Sequence, residues 1–196
     1  MKVIGITGGV GSGKSTVLSL LKKHFNAYVI QADEVAKDIM KKGECGYQQV
    51  IEMFSDRILD ARGEIDRVKL AKIVFANINK RMVLNSIIHP LVKRVILEKI
   101  NEMKIKGQYE YFFVEAALLI EDHYNVICDE LWYIYVPEEV RRIRLKENRG
   151  YSDNKISKIF KSQLTDNEFR KYCSCVIDNS NNVENTLGQL KKYLVP

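Results

Sequence analysis

The sequence predicts an α/β fold: a parallel five-stranded sheet with helices on both faces. Three observations carry this expectation. Short apolar runs such as Val3-Ile4-Gly5-Ile6 and Leu131 to Val136 lack polar alternation and read as strands buried on both faces. Segments with apolar residues at helical spacing separate these runs, and alternating strands and helices pair in parallel through right-handed crossovers. Between the first run and the first such segment stands Gly8-Gly9-Val10-Gly11-Ser12-Gly13-Lys14-Ser15, which fits the phosphate-loop pattern G-x-x-x-x-G-K-[ST].

That loop has the context its chemistry requires. Lys14 to Phe25 reads as a helix, with Val17, Leu18, Leu20, Leu21 and Phe25 on one side. Glycines let backbone N–H groups curl around phosphate oxygens, and the helix N-terminus adds partial positive charge. Lys14 is placed to reach the β- and γ-phosphates, and the Ser15 hydroxyl to ligate Mg²⁺. Gly9, Val10, Gly11, Ser12, Gly13, Lys14, Ser15 and Thr16 are therefore the expected nucleotide-binding residues.

Ala27 to Ile30 reads as a second strand, ending at Gln31-Ala32-Asp33, and Glu34 to Lys42 as a helix. An acid at the carboxyl end of a parallel strand lies where ligands bind in open sheets, yet Asp is also a preferred N-cap. Position alone leaves Asp33 open between the two. Tyr47, Val50, Ile51 and Phe54 mark a helix, and Asp60-Ala61-Arg62-Gly63-Glu64 a turn. A further helix starts at Asp66. Met82 to Ile88 is read as another helix, and Leu91 to Met103 as a new one beginning at His89-Pro90, since proline is tolerated in a first turn. Tyr109 to Glu115, Leu131 to Val136 and Cys173 to Ile177 supply strands three to five, and Val183 to Leu194 the last helix. The expected organisation is one domain: core 1–33, 108–137 and 166–196, a helical substrate-binding insert 34–107, and a lid 138–165.

Composition narrows the function classes. Hydrophobic residues make up 46% and charged residues 29% of the 196, ordinary for a globular domain with a substantial core. No run of 18 apolar residues exists, so no membrane partner is expected, and no signal peptide precedes the first strand, so the expected location is cytoplasmic. Cys45, Cys128, Cys173 and Cys175 are too scattered for a disulfide framework; Cys173 and Cys175 read as packing residues on one strand face. The net charge of +6 suits polyanionic small molecules, and the basic clusters lack the interleaved aromatics of single-strand binders. Nucleic acid is not the expected partner; small molecules are, to a monomer or weak homo-oligomer.

Arg141, Arg142, Arg144, Lys146 and Arg149 crowd one segment, too many cations for Glu138, Glu139 and Glu147 to neutralise. Phosphoryl transfer spreads negative charge over the moving group, and guanidinium clamps stabilise it. No N-K-x-D base-reading motif follows the loop, which argues against a GTPase. A short chain, a helical insert and a late Arg-rich lid together point to a small-molecule kinase. A lid closing over the triphosphate excludes water.

The chain resembles the dephospho-coenzyme A kinase family. The resemblance rests on Ile6-Thr7 with the phosphate loop, Ala32-Asp33, Gly63-Glu64-Ile65-Asp66-Arg67, Ile88-His89-Pro90-Leu91-Val92, Leu118-Leu119-Ile120-Glu121, Arg149-Gly150-Tyr151-Ser152 with Gln163, and Val176-Ile177-Asp178-Asn179. It implies a P-loop kinase fold, ATP and Mg²⁺, and transfer of the γ-phosphate to the ribose 3′-hydroxyl of dephospho-coenzyme A. By resemblance Asp33 is the general base, and Arg144 and Arg149 fall at the lid arginines. His89 is either a substrate residue or a packed helix-start histidine; Leu118 and Glu121 belong to the substrate side, with Glu121 open between a structural acid and a metal ligand. Asn179 stands where such kinases approach the adenine, and is equally a good turn residue. Glu115 replaces a shorter Asp of the family, Gln31 another Asp, and Lys37 an Arg or His. The alternatives are a nucleoside or nucleotide kinase and, further off, a nucleic-acid-stimulated ATPase.

Overall fold

In a computed structural model that describes residues 1–194, the strands are β1 Lys2–Thr7, β2 Ala27–Gln31, β3 Tyr111–Glu115, β4 Glu130–Tyr135 and β5 Cys175–Asp178. The helices are α1 Lys14–His24, α2 Ala32–Asp38, α3 Tyr47–Phe54, α4 Arg67–Ala76, α5 Ile78–Lys106, α6 Glu138–Arg149, α7 Asp153–Lys161, α8 Asp166–Tyr172 and α9 Val183–Leu194. The sheet is parallel and runs β2-β3-β1-β4-β5. From β1 the chain moves to one side, and after β3 it crosses to the other. The C-terminal end of β1 is thus the topological switch point, where open α/β sheets take their ligands. Register brings Ile6 beside Glu115, Thr7 beside Tyr133, and Tyr135 beside Asp178.

Two compact units emerge. The first holds Met1–Val29 and the chain from Met103 onward; the second is Ile30–Glu102. In the first unit, Ile4, Ile6, Phe113, Trp132, Ile134 and Ile177 of the sheet pack with Val17, Leu18 and Leu21 of α1 and with Leu190 and Leu194 of α9. Burying one such side chain stabilises by about 1.5–3 kcal/mol, which fixes α1 and so the loop that precedes it.

The second unit is helical and joined by short turns. Asp60 accepts hydrogen bonds from the N–H groups of Arg62 (2.8 Å) and Glu64 (3.0 Å), and Leu59 bridges Ile65 in antiparallel fashion. Asp66 then caps α4 through the N–H groups of Val68 and Lys69. The motif Gly63 to Arg67 is therefore a turn followed by a cap.

One expectation fails here. Pro90 does not begin a helix; it lies inside the 29-residue α5. Its missing N–H costs one ladder bond, but buried Ile88, Leu91, Val92, Ile96 and Ile100 continue one apolar stripe across it. Burial of that stripe outweighs the lost bond. Two smaller shifts follow from capping. Asp33 is not an N-cap, because α2 starts at Ala32 with Gln31 as its cap residue. Cys173 is not in a strand; it ends α8, and only Cys175 lies in β5, though both are buried.

Candidate active site

The phosphate loop is bent where glycine is needed. Gly8 has φ +150° and Gly13 φ +77°; a Cβ on Gly8 would lie 2.6 Å from the Ile134 carbonyl oxygen, and one on Gly13 2.4 Å from Asn179 Nδ2. An L side chain at either site meets both backbone strain and a fixed neighbour. Gly13 is also the N-cap of α1, so no side chain caps that helix, and no acid sits in its first turn. A helix start of this composition suits an anion.

Lys14 Nζ donates to the Gly8 carbonyl at 2.8 Å and lies 3.8 Å from Glu115 Oε1. Glu115 is buried at the end of β3. A buried carboxylate beside the loop lysine holds that cation extended at the mouth of the loop. Mg²⁺ prefers oxygen ligands and keeps several waters, so few protein ligands suffice. The Ser15 hydroxyl and the Glu115 carboxylate are oxygen donors of that kind. Thr7 Oγ1 and Ser12 Oγ are buried in the same region without partners among the described residues, polar groups that a hydrated ligand would satisfy. The donor set fits Mg²⁺.

The far side of the loop is braced by the end of β5. Asn179, 6% exposed, donates through Nδ2 to the Ser12 carbonyl at 2.8 Å and accepts from Thr186 Oγ1 at 2.9 Å. Both ends of its amide are engaged, so the side chain braces the loop. Arg144 Nη2 donates to the carbonyls of Asn179 (3.0 Å) and Ser180 (3.4 Å). It fastens α6 to that same turn. Arg149 ends α6 on the exposed surface. Leu118 is 44% exposed while Leu119 is buried, so the doublet after β3 puts one leucine in and one out. A Cβ on Gly5 would fall 2.8 Å from Leu131 Cδ2 and 3.0 Å from Leu119 Cδ1, so a glycine in mid-strand lets these two leucines close over β1. Glu121 follows, exposed.

In the second unit, Asp33 lies in the first turn of α2, exposed, with no side-chain hydrogen bond or ion pair among the described residues. His89 is half-buried in mid-α5, not at a helix start. Lys37 is paired with Glu34 at 2.6 Å.

Against known proteins, the model of the dephospho-CoA kinase family matches residues 2–185. The chain belongs to the dephospho-CoA kinase family. It is a kinase of P-loop fold by that membership and takes ATP and small-molecule substrates. A dephospho-CoA kinase of Carboxydothermus hydrogenoformans is 40% identical over 99% of this chain and 93% of its own length. One of Aquifex aeolicus is 39% identical over 98% and 95%. Among solved structures, dephospho-CoA kinase from Campylobacter jejuni superposes with a TM-score of 0.72 at 25% identity, covering 98% of this chain and 96% of the other. A shikimate kinase from Bacteroides thetaiotaomicron, TM-score 0.57 at 14% identity, shares the fold. No helix among the described residues is long and apolar enough to cross a membrane.

Sequence reasoning missed Thr186, the brace behind Asn179. One signal was there: it lies four residues before Leu190 on the buried stripe of α9, a polar residue at an apolar position. It also passed over Arg141 in favour of Arg144 and Arg149.

Proposed function

We propose that this protein transfers the γ-phosphate of ATP to the ribose 3′-hydroxyl of dephospho-CoA, giving coenzyme A and ADP in the last step of coenzyme A synthesis. What carries the reading is a braced phosphate loop at the sheet's switch point, in a chain that matches the family from residue 2 to 185.

In this scheme the loop from Gly9 to Thr16 encloses the β-phosphate with the amides that Gln163 leaves open, and Lys14 exchanges the Gly8 carbonyl for phosphate oxygens. Glu115 keeps that ammonium extended. Ser15 and Glu115 would hold Mg²⁺, which when bound would neutralise phosphate charge. Asp33 accepts the proton of the attacking hydroxyl. An exposed carboxylate without a competing partner is free to do so, and a positioned base contributes about 10²–10⁴-fold. His89, Leu118 and Glu121 are assigned to the acceptor side. Asn179 and Arg144 serve the nucleotide indirectly, through the loop they support, and Arg149 takes part only if the lid carries its helix end inward. A cytoplasmic location and a monomer or weak homo-oligomer complete the reading; unpaired Cys45, Cys128, Cys173 and Cys175 suit a reducing compartment.

The test is ADP release measured against a panel of acceptors: dephospho-CoA, nucleosides, nucleoside monophosphates and shikimate. Dephospho-CoA should stimulate release by orders of magnitude over the no-acceptor control. Release no greater than that control sinks the reading, and stimulation by a nucleotide instead replaces it.

A further inference from the structure

Three lid side chains meet at the crest of the phosphate loop. Arg141 of α6 lies with its guanidinium carbon 4.5 Å from the ring centroid of Phe160 in α7. Its tip fills the space beside Gly9: a Cβ there would fall 1.9 Å from Arg141 Nη1 and 3.3 Å from Gln163 Oε1. Gln163, in the turn after α7, accepts the Val10 N–H at 3.1 Å. Arg141 Nε is buried without a hydrogen-bond partner among the described residues.

Arg142 shares the Phe160 ring, its guanidinium carbon 5.3 Å from the centroid, but it and the other neighbouring cations are committed to acceptors. Arg142 is paired with Glu138 (3.1 Å) and Asp153 (3.4 Å), Lys146 with Asp153 (2.8 Å), and Arg144 donates to the Asn179 and Ser180 carbonyls. Arg141 has no carboxylate partner among the described residues. An aromatic face holds a guanidinium without neutralising it. That is what a phosphate clamp needs: orientation fixed in advance and charge still available. The acceptor on Val10 is chosen on the same terms. A carboxylate would bind that N–H more strongly but would repel the phosphates; the neutral amide of Gln163 pins the lid without that penalty.

We propose that Arg141 is the lid cation that meets the transferred phosphoryl group, and that Phe160 and Gln163 are positioning residues that mount it on the loop. This rests on the kinase reading above. The mount fixes one long side chain over Gly9, so the loop glycine doubles as its seat.

Two measurements test it. In protein without nucleotide, arginine labelling by phenylglyoxal, mapped by peptide mass, should mark Arg141 slowly. Phe160→Leu and Gly9→Ala should each raise that rate several-fold, the second because its methyl takes the seat. In steady state, Phe160→Leu and Gln163→Met should each lower kcat about tenfold with the KM for ATP nearly unchanged, and Phe160→Tyr should restore it. Arg141→Met should cost roughly 10²-fold or more, the size seen when a guanidinium clamp is lost. Labelling of Arg141 that is fast in the wild type, or unchanged in both variants, overturns the mount. So does a Phe160→Leu protein with wild-type kcat, or one whose loss falls in KM alone. A wild type inactive on dephospho-CoA defeats the kinase reading instead, and the labelling result still judges the mount on its own.

Discussion

The two compact units are stabilised in different ways. Around the phosphate loop the decisive hydrogen bonds join residues far apart in the chain: Gln163 to Val10 and Asn179 to Ser12. Within Ile30–Glu102 the side-chain bonds are mostly local: Glu34 with Lys37, Asp38 with Lys41, Asp60 across its own turn, Asp66 on its own helix. A site that must hold a triphosphate in one geometry is cross-braced, and local closure serves the helical unit. Local bonds yield locally when broken, and long-range ones release the loop.

The comparison breaks most sharply at the chemistry. Lys14→Ala should lower phosphoryl transfer by about 10³-fold or more, since charge at the β/γ-phosphates is stabilised mainly by such fixed cations. Single-turnover assays at saturating ATP measure it; a loss under tenfold would mean Glu115 and Lys14 form only a structural pair. Asp33→Asn removes a base from the second unit and leaves the loop intact. It should lower kcat by about 10²-fold while ATP affinity, read by calorimetry, stays within about twofold. Wild-type turnover would make Asp33 a mere helix residue.

How much of this could be read in advance follows the same division. The loop was legible because its signal is contiguous: glycines, Lys14 and Ser15 at fixed spacing between an apolar run and a helix. The strands were legible within about two residues. Pro90 misled, because local propensity marks a helix start while the stripe from Ile88 to Ile100 carries the helix through. Asn179 was legible as a turn residue but not as a brace, since nothing near it in sequence points to Ser12. The Arg141 seat on Gly9 was illegible for the same reason: it joins three segments, and the Arg cluster offers several candidates with equal claim. Asp33 was legible as an acid at the tip of β2, and the cap residue Gln31 bears only on its capping reading.

The brace itself gives an intermediate effect. Asn179→Ala leaves the Ser12 carbonyl without a partner and the Thr186 hydroxyl with only its 3.3 Å bond to the Asn182 carbonyl, which should cost about 1–3 kcal/mol of stability and raise the KM for ATP. Thr186→Val should cost about 1 kcal/mol, and the double variant should cost less than the sum, because the two act through one network. Denaturant melts of the three proteins decide it. Strict additivity would mean the two side chains support the loop separately.

The smallest effects separate the units by pH. In the first unit, burial pushes Cys128 and Cys173 up to about 12 and Cys175 up to about 11, from an ordinary 9.0. A raised folded pKa means stability is full below 9 and is lost as pH rises from there toward 12, while the unfolded chain ionises. In the second unit, the N–H groups of Glu64 and Arg62 hold the Asp60 carboxyl below its ordinary 3.8. Its contribution is therefore present above 3.8 and lost as pH falls through the lower folded value. Alkali should loosen the sheet unit, and acid should open the insert turn. Cys173→Ala should flatten the fall in Tm between pH 9 and 10.5 by about 2 °C relative to the wild type. Amide exchange at Arg62 and Glu64 should accelerate beyond its intrinsic pH trend below pH 3.8. If acid opens the sheet and the turn together, the two units share one cooperative transition, and cross-bracing and local closure are no longer separable in energy.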